Sequence, residues 1–303
     1  MGVAAALRVS GQRIVAFGDI VNDVVVVPKA AIRTDTDTAA TIRPRPGGSA
    51  ANTAAWLGSL GTPADFVGCV GIADFEYHAA ELRKEGVVPY LTTAPGLPTS
   101  TIVIIVDGEQ RTMLTERGAN RALTTNDLSD KLLEQAAVLH LTGYSLIDGP
   151  RAAGIRELIE RAHMAGVTVS MNPGSVGFIA DFGSDAFVEG IAGSDILFAN
   201  VDEARLLSAE NLPARAARVL ADRHGIAIIT QGSESVLVAE RGGAPFSIQV
   251  PAVRLVDPTG AGDAMAAGFL NSWRVDHDVS RATQAGIMVA ARAVMLMGGR
   301  PAI

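Results

Sequence analysis

The sequence predicts an α/β protein of three layers, α/β/α, with a mostly parallel central sheet and a small antiparallel sheet inserted into it. Short β-branched runs alternate with amphipathic segments of helical period through most of the 303 residues, the pattern of parallel strands covered on both faces by helices. Two segments break that alternation with paired β-rich runs and no helix between them. Apolar residues make up 48% of the chain against 19% charged, a balance that builds a large core and excludes a disordered chain. No linker, repeat or low-complexity tract divides it, so residues 1–303 read as one domain.

The elements follow in order. "RIVAFGD" (13–19) is a strand, and "NDVVVVPKAAIRTDTDTAATIRPRPGG" (22–48) is strand, polar turn, strand, the first inserted piece. "SAANTAAWLGSLG" (49–61) is a helix of small residues closed by Gly61. "ADFVGCVG" (64–71) is strand-like, and "DFEYHAAELRKEG" (74–86) is a helix with Asp74 as N-cap and Gly86 as C-cap. "TSTIVIIVDGEQRTMLTERG" (99–118) is a hairpin turning at Asp107 and Gly108, the second inserted piece. The two pieces, about 22–46 and 98–117, read as a lid over the main domain. Next come strand "AVLHLTG" (137–143), helix 149–166, strand "VTVSMNP" (167–173), strand "DILFAN" (195–200) and helix "VDEARLLSAE" (201–210). "IAIITQG" (226–232) is a strand, "VLVAE" (236–240) and "FSIQVP" (246–251) an antiparallel pair, and a last helix covers about 280–297. The apolar strands "VVVV" and "TIVIIV" would be poor exposed edges, which predicts a homodimer through the lid.

Bulk properties exclude several classes. The net charge of -7, with no run of Lys or Arg, argues against a nucleic-acid partner while leaving room for a nucleotide held by backbone groups. Cys69 is the lone cysteine, so no disulfide framework or thiolate cluster is expected, as in a reducing cytosol. The N-terminal apolar stretch is short and interrupted by Arg8, Ala6 stands where a myristoylation signal wants Ser or Thr, and no stretch is long enough to span a membrane. A cytoplasmic location is the expectation. His78, His140, His163, His224 and His277 show no metal-ligand spacing.

Chemistry concentrates in "LVDPTGAGDAMAAGFL" (255–270). Gly260, Ala261 and Gly262 carry almost no side chain and lead into a helix. Their amides can converge on an anion, with the helix dipole adding positive character. Asp263 would repel such an anion. It makes sense if it faces a second reactant as the base for an attacking hydroxyl. The competing reading is a tight strand-to-helix turn. The stretch is neither a Walker A loop nor Gly-x-Gly-x-x-Gly.

Two further stretches bear on it. Gly47 and Gly48 precede Asn52, which suits a polyol hydroxyl pair in the first turns of a helix; the alternative is close helix packing. Asn200 and Glu203 share one helical face after a strand, suiting Mg²⁺ held through water; the alternative is an N-cap with an acidic first turn.

Together these motifs resemble the ribokinase/PfkB carbohydrate kinase family over about residues 13–300. Gly47, Gly48, Asn52, Gly61 and Gly71 match its N-terminal signature, and residues 257–270 match its C-terminal one. The resemblance implies a ribokinase-like fold and an ATP- and Mg²⁺-dependent kinase acting on a sugar, or alternatively on a nucleoside. Asp263 is implied as the base, and Gly260, Ala261 and Gly262 as the anion hole. Asn172, Asn200, Thr230, Gly232, Thr259 and Gly262 are implied as ATP contacts, and Asn200 and Glu203 as the Mg²⁺ pair. Asp23, Gly47, Gly48 and Asn52 are implied to hold the acceptor. Asp257 stands where some members place an aspartate near a monovalent cation, implying K⁺ as a further cofactor. The chain departs from the family at residues 72–76 and at Ser235.

The acceptor is less legible. Neither inserted segment contains Phe, Tyr or Trp, which leans towards a sugar and away from a base. Arg111 and Arg117 could reach a carboxylate or phosphate on the substrate, or be solvated lid charges. Tyr144 could line the acceptor pocket or pack in the core. A non-catalytic ligand sensor on the same fold is the remaining alternative.

Overall fold

The structure, a computed structural model, describes residues 13–107, 110–147 and 151–301. Gly2, Ala6, Arg8 and the Gly108 position of the hairpin turn therefore lie outside the described residues. A nine-stranded sheet runs in the order β13-β12-β11-β10-β9-β8-β1-β4-β5. Its strands are β1 (Arg13–Phe17), β4 (Ala64–Val70), β5 (Val87–Thr93), β8 (Ala136–Thr142), β9 (Thr168–Asn172), β10 (Ile196–Asn200), β11 (Ile226–Thr230), β12 (Ser235–Glu240) and β13 (Phe246–Gln249). Every pairing from β5 across to β11 is parallel, and β12 and β13 add an antiparallel edge.

Period-two alternation divides the core between two faces. Ile14 and Ala16 of β1 point to the layer of α1 (Ser49–Ser59), α2 (Phe75–Lys84), α10 (Ala261–Asp276) and α11 (Val279–Ala293), where Trp56, Leu82, Phe269 and Ile287 are buried. Val15 and Phe17 point to the opposite layer. There α5 (Arg151–Met164), α7 (Ser184–Gly190) and α9 (Pro213–His224) bury Leu158, Phe187 and Leu220. Each such side chain contributes on the order of 1.5–3 kcal/mol by leaving water. The predicted three-layer fold and mostly parallel sheet are what the chain forms. Among the described residues no helix is long and apolar enough to cross a membrane.

The second sheet has the order β3-β2-β6-β7. β2 (Val21–Pro28) pairs antiparallel with β3 (Ala40–Gly47), and β6 (Ser100–Asp107) antiparallel with β7 (Gln110–Glu116). The inner strands β2 and β6 run parallel to each other, so two antiparallel hairpins are joined by one parallel seam. This corrects a premise of the dimer expectation. The apolar runs 24–27 and 101–106 are interior strands with both edges paired, not exposed edges. The outer strand β3 carries Pro44 and Pro46, which have no N–H to offer a neighbouring chain.

Three local expectations are also corrected. Asp74 holds the N-cap position of α2 but its side chain makes no capping bond: its backbone sits at φ -106, ψ 2, and its carboxylate accepts from Asn22 Nδ2 at 3.0 Å. The last helix starts at its Asp278 cap, where Arg281 N–H donates at 2.9 Å, and ends at Ala293 instead of continuing to 297. The Val294 carbonyl accepts the amides of Val256 and Asp257 and draws the chain off the helical path. The segment entering α10 is likewise not a strand. β13 ends at Gln249, and residues 250–259 cross the domain without regular structure.

Candidate active site

The parallel strands end on one side of the sheet, and the sequence-predicted residues gather there, as expected where strand ends meet helix starts. A cavity of about 540 Å³ is lined by Asp23, Gly48 and Asn52 on one side and by Thr259, Gly260, Ala261, Gly262 and Asp263 on another. Asn172, Asn200, Glu203 and Thr230 complete it from the ends of β9, β10 and β11. Gly47, Gly232 and Asp257 are not among its walls. Gly47 instead packs on the Asp23 carboxylate so closely that a Cβ would lie 2.1 Å from Asp23 Oδ2. Gly232 takes a left-handed turn conformation at φ 63 beyond β11.

Asp263 sits in the first turn of α10 and is buried. Its Oδ1 accepts from Ser49 Oγ at 2.6 Å and its Oδ2 from Asn52 Nδ2 at 3.1 Å. Burial pushes its pKa up to about 7 against those two hydrogen bonds, and the charges of Asp19 and Asp23 add to the rise. A carboxylate poised there is matched to proton transfer near neutral pH. Asp23 is also raised to about 7 by burial, with Arg300 acting to lower it.

The glycines that lead into Asp263 are bare for different reasons. Gly260 adopts φ 77, and a Cβ on it would meet Gly299 Cα at 2.5 Å, so the protein's own packing requires glycine. Gly262 has ordinary helical backbone. A Cβ there would meet only Asn172 Nδ2, at 3.7 Å, and otherwise face the cavity. Of the three amides expected in the cradle, that of Ala261 donates to the Pro258 carbonyl at 3.2 Å. Among the described residues, the amides of Gly260, Gly262 and Asp263 have no acceptor in the protein, as the first turn of a helix leaves them.

Asn200 caps α8 (Val201–Ser208). Its Oδ1 accepts from the amides of Asp202 and Glu203, while Glu203 accepts from Asn200 N and Nδ2, a capping box. Both readings of this pair therefore hold in part: it is a cap, and it lines the cavity. Burial raises Glu203 to about 7. Each carboxylate oxygen accepts one bond and keeps a lone pair, which fits a Mg²⁺ held through water. Among the described residues no cluster of three or more His, Cys, Asp or Glu could hold a metal directly.

Several site residues escaped the sequence reading. Asp19 lies two residues past β1 and accepts from the amides of Ser49 (2.6 Å) and Ala50 (3.2 Å) and from Thr142 Oγ1 (2.8 Å), closing the α1 N-terminus. Arg300, buried, donates from Nε to Asn52 Oδ1 and from Nη2 to the Gly47 carbonyl, both at 3.3 Å, and lies 3.5 Å from Glu85. It thereby sets the amide orientation of Asn52 that aims Nδ2 at Asp263. The glycine pair before it, Gly298 and Gly299, was the available signal.

The inserted segments lack aromatics, but the main domain brings two to the cavity. Phe178, from α6 (Val176–Phe182), and Tyr144 pack edge to face at 5.4 Å and both line the cavity, with Ile102, Ile104 and Met113 of the small sheet nearby. Arg117 stacks its guanidinium over Phe178 at 4.4 Å. Arg111, half-buried, is not among the cavity walls and pairs with Asp257. The histidines are structural: His78 pairs with Asn22, His140 with Ser170, His224 with Ser194 and His163 with Asp195, and His277 packs on Trp273.

The chain is similar to known proteins. A family model described as pfkB family carbohydrate kinase matches residues 12–302. An ATP-dependent ribose-1-phosphate kinase of Halopiger xanaduensis is 31% identical over 249 residues, spanning 78% of this chain and 76% of that protein. A fructokinase of Rhizobium leguminosarum bv. trifolii is 33% identical over 247 residues, spanning 77% and 73%. The crystal structure of adenosine kinase from Sinorhizobium meliloti superposes with a TM-score of 0.87 at 27% identity over 97% of each chain. The bare-amide helix start, the buried carboxylate and the family match converge: this chain belongs to the pfkB family of carbohydrate kinases, as a sugar or nucleoside kinase acting on a hydroxyl acceptor.

Proposed function

We propose that the protein transfers the γ-phosphoryl group of ATP to a hydroxyl of a sugar or sugar derivative, with Asp263 as the base. The observation that carries this is the placement of Asp263 directly beside the unpaired amides of Gly260 and Gly262, at one helix start. Asp23, Gly48 and Asn52 hold the acceptor so that its hydroxyl reaches Asp263. Asp263 takes the hydroxyl proton as the oxygen attacks, and Ser49 and Asn52 fix the carboxylate's orientation. The amides at the head of α10 stabilise the charge on the migrating group. When bound, ATP supplies that group and Mg²⁺ neutralises its oxygens. Asn200 and Glu203 would hold the metal through water, Asn172, Thr230 and Thr259 would contact the phosphates, and Gly232 would border the nucleotide from the turn after β11. The small sheet acts as the lid that excludes water.

A specific observation favours a second reading, a nucleoside acceptor. Phe178, Tyr144, Ile102 and Met113 give the cavity an apolar, partly aromatic wall, which a flat aromatic base covers more fully than a sugar's single C–H face. ADP release against a panel of sugars, sugar acids and nucleosides separates the two. Saturable turnover that Asp263→Asn abolishes supports the kinase reading. A preference of ten-fold or more for nucleosides, lost in Phe178→Ala, supports the second. Binding of ATP with no turnover of any acceptor would leave the protein a sensor and overturn both.

A further inference from the structure

The family resemblance brings a monovalent cation to Asp257, and the groups gathered there do not fit one. An alkali cation is held by oxygen acceptors such as carbonyls and carboxylates. Around Asp257 the neighbours are donors. Its Oδ1 accepts from Thr259 N–H at 2.9 Å and forms an ion pair with Arg111 Nη2 at 2.9 Å, and its Oδ2 accepts from Gly298 N–H at 2.9 Å. The nearby carbonyls are already engaged. Val294 O accepts two amides, and Met297 O accepts Arg45 Nη1 at 2.6 Å.

Both arginines come from the small sheet, Arg45 from β3 at one edge and Arg111 from β7 at the other. They grip the two chain segments that flank the head of α10, residues 257–259 and 297–298. Arg111 also donates from Nη1 to Thr259 Oγ1 at 3.2 Å. Asp257, held on Thr259 N–H, shapes the turn whose Pro258 carbonyl takes the Ala261 amide. That turn accompanies the left-handed conformation of Gly260, and among the described residues the Gly260 and Gly262 amides have no acceptor. Arg111 lies outside the cavity wall, whereas Met113 and Thr115, on the same face of β7 by period two, and Arg117 just past its end line it.

We infer that Arg111 is a built-in counter-cation for Asp257: a positioning residue that replaces a bound alkali ion and ties the small sheet to the phosphoryl cradle. Without it, an uncompensated carboxylate stands behind the cradle and repels the phosphate the cradle attracts. The inference rests on the kinase reading only for its activity readout; its melting readout does not.

The test compares KCl, NaCl and tetramethylammonium chloride at equal ionic strength. Wild-type turnover and the melting temperature of the nucleotide-free protein are expected to be the same in all three. Arg111→Ala is expected to lose roughly ten- to a hundred-fold in kcat, to recover part of it with millimolar guanidinium or with K⁺, and to melt higher in KCl than in NaCl. Arg111→Lys, which keeps the charge but not the fork, is expected to fall between. Wild-type activation or stabilisation specific to K⁺, or an Arg111→Ala protein with full activity, would overturn the inference. A wild-type protein inactive in every salt but with cation-independent melting overturns the kinase reading and leaves the counter-cation in place.

Discussion

α1 and α10 both present their N-termini to one cavity, and they treat their first amides in opposite ways. Each starts at a glycine of positive φ, 98 at Gly48 and 77 at Gly260, and neither N-cap residue supplies a capping side chain. At α1 the missing cap comes from across the chain. The Asp19 carboxylate takes the amides of Ser49 and Ala50, and its carbonyl takes that of Ala51. At α10, of the amides of residues 260–263, only that of Ala261 has an acceptor among the described residues, Pro258. The same device is therefore scaffold at one end and site at the other. A helix start closed by a carboxylate has no use for an external anion, whereas one left with free donors does. The two starts are stitched together by side chains, since Ser49 and Asn52 of α1 hold the carboxylate of α10.

The largest expected effect breaks that stitch at its centre. Asp263→Asn should lower kcat by roughly 10³–10⁴-fold with ATP binding retained, measured by ADP release and by nucleotide titration. Wild-type kcat/KM should fall as pH drops below about 7, where Asp263, raised to about 7, gains its proton. The same shift carries a stability consequence of opposite sense. A carboxyl whose folded pKa is raised stabilises the protein at low pH and loses that contribution as pH rises through the folded value. Asp263→Asn should therefore be more stable than wild type at pH 8, by on the order of 2 kcal/mol, and near equal at pH 4 in thermal melts.

Gly262→Ala sharpens the comparison within α10. The new Cβ enters ordinary helical backbone with its nearest neighbour at 3.7 Å, so melting should hold or rise, by up to about 1 kcal/mol from helix propensity. Turnover should fall roughly 10²-fold as the methyl group intrudes on the cradle. Unchanged turnover would mean that the amide is not used.

Asp19→Asn gives the smallest effect and tests the scaffold half. Stability should drop by about 1–2 kcal/mol through the loss of a charged cap, while kcat at pH 8 changes only a few-fold. Because the Asp19 charge helps to raise Asp263, the acid limb of kcat/KM should move to lower pH. A limb that stays in place would count against Asp263 as the group it reports.

Local pattern made the helix starts legible. A run such as residues 260–263 is read without the rest of the chain, because glycine freedom and a following carboxylate act over a few residues. Asn52, Asn200 and Glu203 were legible for the same reason, each lying within a turn of a helix start. The residues that escaped reading have meaning only through distant partners. Arg300 is an isolated arginine until it meets Asn52, 248 positions away. Asp19 is an aspartate just past a strand end until Ser49 and Ala50 turn their amides to it. Phe178 was hidden by attention to the inserted segments, since the wall it forms with Tyr144 comes from the main domain.

By itself the sequence determined the layered α/β class, the two inserted hairpins and the residues at the head of α10, because periodicity and backbone freedom are local properties of a chain. Only the tertiary structure decided which amides stay free, that Arg111 pairs with Asp257, that the apolar strands of the small sheet lie inside it, and that Tyr144 and Phe178 line the cavity. Those outcomes depend on pairing and burial across long sequence separations, and no short stretch of residues records them.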